Sequence, residues 1–488
     1  MAESAPVVPA PVVPEPVVPE PVVIVGAGPV GLTAALLLAR YCVPTVVLER
    51  HPRPWSLPRA VHLDDECVRV LQLAGVADGF ARISRPAAGL RLLDARLRPF
   101  ATFHRGPGPG VHGHPAANLF DQPDLDDLLH CAVRDAGIDV RTGVEVVGVS
   151  RAGVVLGDGS RLPAAAVLGC DGAGSTVRAA IGAAFTDLGF TQRWLVVDVR
   201  YPTPLDSWGG VDQVCDPRRA ATFLHLTDDR YRFEFRLRDD ERATDLSPTA
   251  LLRPWTSTPP TVIRCAEYTF RARVVDRWRT ERTFLLGDAA HLMPPFIGQG
   301  LGAGLRDAHN LAWKLAAVLA GRANEELLGS YPRERDPHVR ATIRTALLVG
   351  RAMTGGGGPA ALVRRPLAAA LLRLPGAEKR ALAAVATRFP PGPAVERRGR
   401  HDLAGTLCPQ PRLAESVLLD EAVGPGWGLL HAGPVDARTA AAARATGART
   451  IDVSSTPLHS WLQSGRTTAA LLRPDRVVAR TAPLLPGF

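Results

Sequence analysis

The clearest pattern of apolar and polar positions lies near the start of the chain. Val22–Val25 is a short continuous apolar run, as expected of a strand buried on both faces of a sheet. A glycine-rich turn follows, Leu32–Tyr41 has the composition of a helix, and Thr45–Leu48 is a second apolar run that ends at Glu49. This order predicts a strand–turn–helix–strand unit of a parallel sheet.

The middle of the chain has a different pattern. Trp194–Val199, Thr222–Leu226 and Tyr231–Leu237 are rich in β-branched and aromatic residues, which predicts antiparallel strands. Thr227–Arg230 supplies a hairpin turn between the last two. We therefore expect an antiparallel sheet in this region.

The remaining segments are a tail, helices and a separate end region. Residues 1–21 repeat Pro-Val-Val-Pro and predict a disordered or polyproline tail, because a signal peptide needs a basic region and an unbroken apolar core. Helical patterns run over 303–320 and 331–390, and 400–488 has strands of its own. Every stretch of about 18 apolar residues is interrupted by a charge, so no membrane span is predicted.

Composition narrows the chemistry. The chain has 488 residues and a formal charge of +9, but 55 of its 57 basic residues are arginines scattered among acids, which does not favour nucleic-acid binding. Lys314 and Lys379 are the two lysines, and neither setting suits a phosphate-binding loop or Schiff-base chemistry. The seven cysteines include no C-x-x-C pair, which favours reduced thiols, a cytoplasmic protein and no metal site.

Three glycine-rich segments carry the candidate chemistry. In the first, Gly26 permits a tight turn, Gly28 lets the backbone approach a pyrophosphate, and Gly31 lets the helix lie close to the strand. The helix N-terminus would face the phosphates, and Glu49 would bind ribose hydroxyls. This arrangement predicts binding of an ADP-containing cofactor.

The other two segments also follow buried strands. Residues 169–178 form a loop that leads into a helix capped by Ser175. In residues 284–314 a strand ends at Gly287-Asp288, and two prolines precede a glycine turn, Gly298–Gly300, and a long helix. An acid at a strand end can bind a polyol, and a helix N-terminus stabilises negative charge on a ring.

In this order and spacing, the three segments resemble the single-component FAD-dependent aromatic hydroxylases, the class A flavoprotein monooxygenases. The chain is most similar to the 3-(3-hydroxyphenyl)propionate hydroxylase branch and its polyketide-tailoring relatives. The resemblance continues through residues 58–66, 122–125, 268–273, 331–335 and 472–475. It implies an α/β fold in which a Rossmann-like FAD-binding domain carries an inserted antiparallel-sheet substrate domain, a helical region and a C-terminal thioredoxin-like domain.

The expected boundaries follow from the resemblance and the composition together. They are 1–21 for the tail, 22–184 for the first part of the FAD-binding domain with substrate-domain elements near 75–115, 185–280 for the substrate domain, 281–395 for the second part and the helical region, and 396–488 for the C-terminal domain.

The resemblance also implies roles for individual residues. In this family Asp288 holds the ribityl chain, and Pro295 and the residues after it lie beside the flavin ring. The family's usual Asn after Leu301 is Gly302 here, so the chain departs from the family at one ring-side polar contact. The implied cofactor-binding residues are Gly26, Gly28, Gly31, Glu49, Arg50, Arg59, Gln122, Asp171, Arg178, Gly287, Asp288, Pro295, Gly298, Gln299, Gly300 and Leu301.

The implied chemistry is hydroxylation of a phenolic or polyketide-derived aromatic ring. NADH or NADPH reduces FAD, and reduced flavin captures O2 as a C4a-hydroperoxide whose distal oxygen attacks the ring. His62 and His225 are candidates for the phenol-side base or hydrogen-bond partner, and Pro295 completes the catalytic set. By the period-2 rule, we expect the predicted hairpin to present four substrate-binding residues, Phe223, His225, Phe233 and Phe235.

Several alternatives share these features. Baeyer–Villiger insertion or epoxidation would use the same flavin segments, and a non-catalytic protein would bind FAD without substrate-stimulated NAD(P)H oxidation. Halogenation is disfavoured, because no lysine precedes Lys314. The chain has no second dinucleotide fingerprint, which fits a reductant that binds transiently, and the resemblance is compatible with a homodimer.

Overall fold

The protein is described by a computed structural model, which covers residues 20–53, 60–106, 108–354, 386–396, 399, 402–413 and 417–483. Strands β1–β24 and helices α1–α11 are numbered in chain order over these residues. The helices are α1 (Pro29–Arg40), α2 (Asp65–Leu73), α3 (Ala77–Ile83), α4 (Gln122–Asp135), α5 (Thr176–Ala180), α6 (Pro248–Leu252), α7 (Gly300–Leu319), α8 (Glu326–Thr354), α9 (Leu419–Val423), α10 (Ala437–Thr446) and α11 (Pro457–Ser464).

A six-stranded sheet forms the centre of the first layer. Its spatial order is β18 (Arg279–Thr280), β19 (Thr283–Leu285), β12 (Ala166–Gly169), β1 (Val22–Val25), β2 (Thr45–Glu49) and β8 (Asp139–Thr142). All neighbours are parallel except the β18–β19 pair. Val22–Val25 is buried along its whole length, as the apolar run predicted. The chain moves from β1 to β2 on one side while β12 lies on the other, so the carboxyl end of β1 borders a crevice.

An eight-stranded sheet forms the second layer. Its spatial order is β20 (His291–Leu292), β17 (Thr261–Val275), β13 (Phe185–Arg200), β16 (Arg230–Arg236), β15 (Ala221–His225), β14 (Val211–Val214), β5 (Gly89–Leu93) and β6 (Pro99–His104). The predicted hairpin turn is confirmed, because the N–H of Arg230 donates to the carbonyl of Thr227 over 2.8 Å. Most neighbours are antiparallel, and β5 and β6 come from the earlier segment that was expected to contribute to this domain.

Two three-stranded sheets complete the body. One has the order β11 (Arg161–Pro163), β10 (Gly153–Leu156) and β9 (Val146–Ser150), and the other β3 (His62–Asp64), β7 (Ala117–Phe120) and β4 (Ser84–Pro86). The predicted helix at 331–390 corresponds to α8, which ends at Thr354. Residues 355–385 lie outside the described residues, and 386–390 are not helical: Arg388 forms an isolated bridge with Thr406.

The C-terminal region is a small α/β unit. Its sheet has the order β22 (Arg449–Asp452), β21 (Gly428–His431), β23 (Thr467–Leu472) and β24 (Val478–Pro483). β21 and β22 are parallel and are connected through α10, whereas β23 and β24 pair antiparallel after α11. This β-α-β-α-β-β order agrees with the predicted thioredoxin-like fold.

Buried charges join this unit to the body. Glu334 on α8 accepts hydrogen bonds from both terminal nitrogens of Arg473, at 2.7 and 2.9 Å, and from Nζ of Lys314 at 2.7 Å. Burial raises the pKa of Glu334, but the two cations outweigh it and lower the pKa to about 2. A second link runs from Arg69 on α2 to Asp420 on α9, with two bonds of 2.7 Å. The C-terminal unit is therefore joined to the body by buried ion pairs that cross between the two parts.

No described helix has the length and apolar character needed to cross a membrane.

Candidate active site

A cavity of about 2360 Å³ lies between the two large sheets. The carboxyl ends of β1, β2 and β12 contribute Gly26–Gly28, Glu49–Arg50 and Asp171–Gly174 to its wall. Ligands of open α/β sheets bind at this edge, where the strand order reverses. Most of the predicted cofactor residues lie along this cavity.

The first glycine turn has the shape that a phosphate-binding turn requires. Gly26 has φ +106°, and a Cβ there would lie 2.5 Å from the carbonyl oxygen of Cys170. A Cβ at Gly31 would lie 2.1 Å from the carbonyl oxygen of Gly26, so the helix can approach the strand closely only with glycine. A Cβ at Gly28 meets nothing within 4 Å in the part of the chain that the structure describes, because this position opens into the cavity.

The N-terminus of α1 and the acid after β2 complete this part of the site. Among the described residues no side chain caps α1, so its first N–H groups are available to a ligand. The carboxylate of Glu49 accepts from the N–H of Ala27 over 3.0 Å and from that of His51 over 2.8 Å. Glu49 therefore fixes the turn as well as lining the cavity.

The neighbouring predicted residues lie on the same side. Arg50 lines the cavity, and its Nε lies 3.1 Å from Nε2 of His51. Gln122, the first residue of α4, also lines the cavity and accepts from the N–H of Ala60 over 2.8 Å. The predicted Arg59 lies outside the described residues.

In the second glycine segment Asp171 and Arg178 have different positions. Asp171 lines the cavity and accepts from the hydroxyl of Ser175 over 2.5 Å, while Ser175 caps α5 as predicted. Arg178 is not among the cavity-lining residues. Its guanidinium lies 4.1 Å from the ring centroid of Phe185 and donates to the carbonyls of Ala289 and Ala173. Arg178 thus connects two loops behind the cavity wall rather than contacting its interior.

The third segment brings its turn and helix to the cavity. Gly287 has φ +57°, and its N–H donates to the carboxylate of Asp307 over 3.0 Å. The next residue, Asp288, lies at the cavity wall. Pro295, Gly298 with φ +61°, Gln299, Gly300 and Leu301 all line the cavity. The described residues provide no side-chain cap for α7 at Gln299, so a second helix N-terminus is open toward the same space.

A buried ion cluster beside this turn did not emerge from the sequence. Arg306 on α7 pairs with Asp64 at 2.7 Å and Glu66 at 3.0 Å, and also donates to Oε1 of Gln299 over 2.9 Å. Burial raises the pKa of Asp64, but the charge of Arg306 outweighs it and holds this pKa well below its usual range. In the sequence, the three consecutive acidic residues 64–66 were the available signal of this cluster. Arg306, the partner of Asp64, lies 242 positions further along the chain.

This cluster explains the departure at Gly302. A Cβ there would lie 2.8 Å from Sγ of Cys67 and 2.9 Å from Nη1 of Arg306. The guanidinium therefore occupies the space that an asparagine side chain would need. Polar contact at this point of the wall comes from Arg306 and Gln299 instead.

His62 lies at the cavity wall, as predicted for a residue near the reacting ring. It is on β3, and a Cβ at Gly298 would lie 3.0 Å from its Nδ1, so the ring packs directly against the glycine turn. Burial lowers the pKa of His62 to about 4, and Arg105 acts in the same direction. The imidazole is therefore neutral at neutral pH.

The predicted substrate wall is wrong, because the hairpin presents its other face. Phe223, Phe233 and Phe235 are 0–3% exposed and belong to the apolar core on the far side of the sheet. His225 stacks on Tyr231 with centroids 4.5 Å apart, and its Nε2 lies 2.9 Å from the carbonyl oxygen of Asp228. None of the four is among the cavity-lining residues, so His225 is not placed to contact a substrate there.

The opposite face of the eight-stranded sheet lines the cavity. This face combines apolar and polar side chains: Leu90, Leu92, Trp194, Val211, Gln213, Thr222, Leu224, Glu234 and Tyr268. Trp194 packs edge-on against Phe296, which follows Pro295, with centroids 6.2 Å apart. The sheet face and the glycine turn therefore meet at one end of the cavity.

The C-terminal part of the chain closes another side. Thr387, Leu407 and Trp461 line the cavity together with Val349 and Met353 of α8. The cavity wall therefore includes residues of both large sheets, of α8 and of the C-terminal unit.

Comparisons with known proteins agree with this geometry. The family described as FAD binding domain matches residues 20–346. A 3-(3-hydroxy-phenyl)propionate/3-hydroxycinnamic acid hydroxylase of Burkholderia vietnamiensis is 36% identical over 438 residues, which cover 83% of this chain and 78% of that protein. A Rhodococcus jostii protein named "Probable NADH-specific resorcinol 4-hydroxylase" is 35% identical over 68% of this chain and 65% of its own length.

Among solved structures, aklavinone-11 hydroxylase in a ternary complex with FAD and aklavinone superposes with a TM-score of 0.77 at 25% identity, covering 96% of each chain. The family match extends over more than half of this chain, and the Burkholderia relative covers most of it. By its sequence and its architecture, the chain belongs to the FAD binding domain family.

Proposed function

We propose that this protein is an FAD-dependent monooxygenase that uses NADH or NADPH and O2 to hydroxylate a phenolic or polyketide-derived aromatic compound. The observation that carries the proposal is a cavity in which two helix N-termini without side-chain caps share the wall with a largely apolar sheet face. The named reactions of the relatives, hydroxylation of hydroxyphenylpropionate, resorcinol and aklavinone, support the same class.

The residues present fit FAD. Gly28 leaves open space where the pyrophosphate would lie against the N–H groups of α1, and Glu49 is placed for the adenosine ribose. Asp288 would bind the ribityl hydroxyls, and the turn from Pro295 to Leu301 would lie beside the ring, with the N-terminus of α7 stabilising negative charge. When bound, FAD supplies the redox chemistry with NAD(P)H and O2.

The protein's own contribution is to orient the ring, exclude water and control one proton. Trp194, Leu92 and Leu224 offer apolar surface to an aromatic substrate and keep water away from it. His62, neutral and packed on Gly298, can accept a hydrogen bond from a phenol and so hold its proton at the end of the cavity near the glycine turn. The rigid Pro295 limits movement of that turn.

The name of the Rhodococcus jostii relative favours NADH as the reductant. All seven cysteines are free thiols in the structure, which suits a cytoplasmic location. A homodimer is compatible with the proposal and would be detected by light scattering of the purified protein.

The deciding experiment is a panel of phenols and polycyclic quinones, scored for substrate-stimulated NADH or NADPH oxidation and for product mass under ¹⁸O2. A product that gains one labelled oxygen on the ring supports the proposal. Uniform absence of such a product would refute it. Steady NAD(P)H and O2 consumption without label in the product would indicate an oxidase, and a labelled ester or epoxide would indicate the alternative oxygenations.

A pair of variants tests the cofactor assignment. Asp288→Ala should lose the visible absorbance of bound FAD, because the ribityl chain loses its acceptor. Asp158→Ala, in an exposed turn outside the cavity, should keep it. If Asp288→Ala binds FAD as tightly as the control, the placement of the ribityl chain is wrong.

A further inference from the structure

A row of three polar side chains crosses the sheet face that lines the cavity. Gln213, Thr222 and Glu234 lie on the adjacent strands β14, β15 and β16 and are direct cross-strand partners. All three line the cavity, whereas Leu224 and Trp194 on the same face are apolar. The row is thus a polar stripe within a surface suited to an aromatic ring.

Gln213 and Thr222 are hydrogen-bonded to each other. Nε2 of Gln213 donates to the carbonyl of Ala221 over 3.0 Å, and its Oε1 accepts from the hydroxyl of Thr222 over 3.1 Å. The amide is therefore fixed by the backbone of the neighbouring strand, and it orients the threonine hydroxyl. These hydrogen bonds therefore hold this part of the cavity wall in place without a ligand.

Glu234 differs from its neighbours, because its carboxylate makes no hydrogen bond or ion pair with any residue that the structure describes. The two nearby arginines, Arg232 and Arg264, are both bound to Asp198. Burial raises the pKa of Glu234, and Arg232 offsets this only in part. The side chain of Glu234 is partly exposed at the cavity wall, so a ligand that displaces water from its carboxyl group must supply a hydrogen-bond donor in its place.

The row lies close to the turn that we assign to the flavin. Glu234 pairs in register with Val196, two residues from Trp194 on the same face, and Trp194 contacts Phe296 of that turn. Positions two residues apart on a strand are about 6–7 Å apart. A substrate ring that lies on this sheet face beside Trp194 and the glycine turn can therefore place a substituent at Glu234.

We propose that Glu234 accepts a hydrogen bond from a hydroxyl group of the aromatic substrate and so selects for hydroxylated rings. The proposal rests on the function proposed above and adds the residue that recognises the substrate. Thr222 and Gln213 position the neighbouring wall, and Glu234 is the member that contacts the hydroxyl. A ring without that donor leaves the carboxyl group unsatisfied.

The test is a thermodynamic cycle by isothermal titration calorimetry on FAD-loaded enzyme. The probes are 3-(3-hydroxyphenyl)propanamide and 3-phenylpropanamide, which differ by one hydroxyl. The wild type should bind the hydroxylated amide at least about 10-fold more tightly, as expected for a hydrogen bond to a carboxylate. In Glu234→Leu the two probes should bind within about 2-fold of each other, because the acceptor is gone.

Two further variants keep the result interpretable. Glu234→Gln retains the size and one acceptor oxygen, so it should keep part of the discrimination. Glu325→Leu removes a surface carboxylate that pairs with Arg282, both about half exposed, and should behave as wild type. Equal discrimination in wild type and Glu234→Leu would overturn the proposal, as would a wild type that binds both probes alike.

Failure of the two proposals can be told apart. If ¹⁸O enters a phenol but discrimination is independent of Glu234, the hydroxylase function stands and the role of Glu234 falls. If discrimination depends on Glu234 but no phenol is oxygenated, the recognition site stands and the hydroxylase function falls.

Discussion

Gly28 is the position at which cofactor binding and folding can be separated most cleanly. Its φ of −76° and ψ of 175° are accessible to any L residue, and a Cβ built there meets no atom of the described residues within 4 Å. Gly28→Val should therefore fold normally. Because the unfolded chain loses the freedom of glycine, the free energy of unfolding of the apoprotein should rise by up to about 1 kcal/mol.

The same side chain should weaken FAD binding. It enters the space where we place the pyrophosphate, against N–H groups of α1 that no side chain caps. A hydrogen bond to a charged group contributes about 1.5–3 kcal/mol, so displacing the phosphate from one such bond should raise the Kd of FAD about 10–100-fold. Fluorescence titration of apoprotein with FAD measures this change, and urea unfolding of the apoprotein measures stability.

Two other glycines provide controls. Gly31→Val should destabilise the apoprotein itself, because its Cβ would lie 2.1 Å from the carbonyl oxygen of Gly26. Gly329→Ala on α8 has open space around its Cβ and lies outside the cavity, so FAD binding should not change. If Gly28→Val binds FAD within about 2-fold of wild type, the pyrophosphate does not lie against this turn.

Three further predictions concern the buried carboxylate of Glu334, the loss of stability at acid pH through His309, and His225, which lies outside the cavity. Glu334→Ala should lower the free energy of unfolding by about 3–5 kcal/mol in urea titrations, because it leaves Lys314 and Arg473 buried without their shared partner. A loss below about 1 kcal/mol would contradict this. Burial lowers the pKa of His309 to about 4, so the unfolded chain takes up its proton first and stability is lost as pH falls from about 6.5 toward 4. His309→Leu should make this decline shallower by up to about 1.4 kcal/mol per pH unit, and an unchanged slope would count against a neutral buried ring. His225→Ala should keep kcat for hydroxylation within about 2-fold. It should lower the free energy of unfolding by about 0.5–1.5 kcal/mol, because the stacking on Tyr231 is lost. A 100-fold loss of kcat would instead show that His225 acts in the reaction.

The parts of the site that the sequence predicted are local. The turn at Gly26–Gly31 and the acid after β2 lie within one strand–helix–strand unit, so their spacing determines their geometry. The same holds for the hairpin turn at Thr227–Arg230. In each case neighbouring residues along the chain are neighbours in space.

The parts that it missed depend on distant partners. In strands β15 and β16, aromatic side chains alternate with polar or aliphatic ones. Which of the two sets faces the cavity depends on which side of the sheet packs against α6. Aromatic residues suggested a pocket, but here Phe223 and Phe233 form the core while Glu234 faces the cavity. Similarly, Arg306 on α7 meets Asp64 only after α7 has packed beside β3 and α2, which lie more than 200 residues earlier in the chain.

The charge network around Glu334 also affects the order in which contacts can form while the chain is being synthesised. Arg473 follows Glu334 by 139 residues, and ribosomes add about 5–20 residues per second, so the arginine arrives about 7–28 s after the glutamate. Lys314 precedes Glu334 and is present throughout this interval. Until Arg473 is synthesised, Glu334 has Lys314 as its charged partner, and a chain that ends before residue 473 lacks the two hydrogen bonds by which Arg473 joins the C-terminal unit to α8.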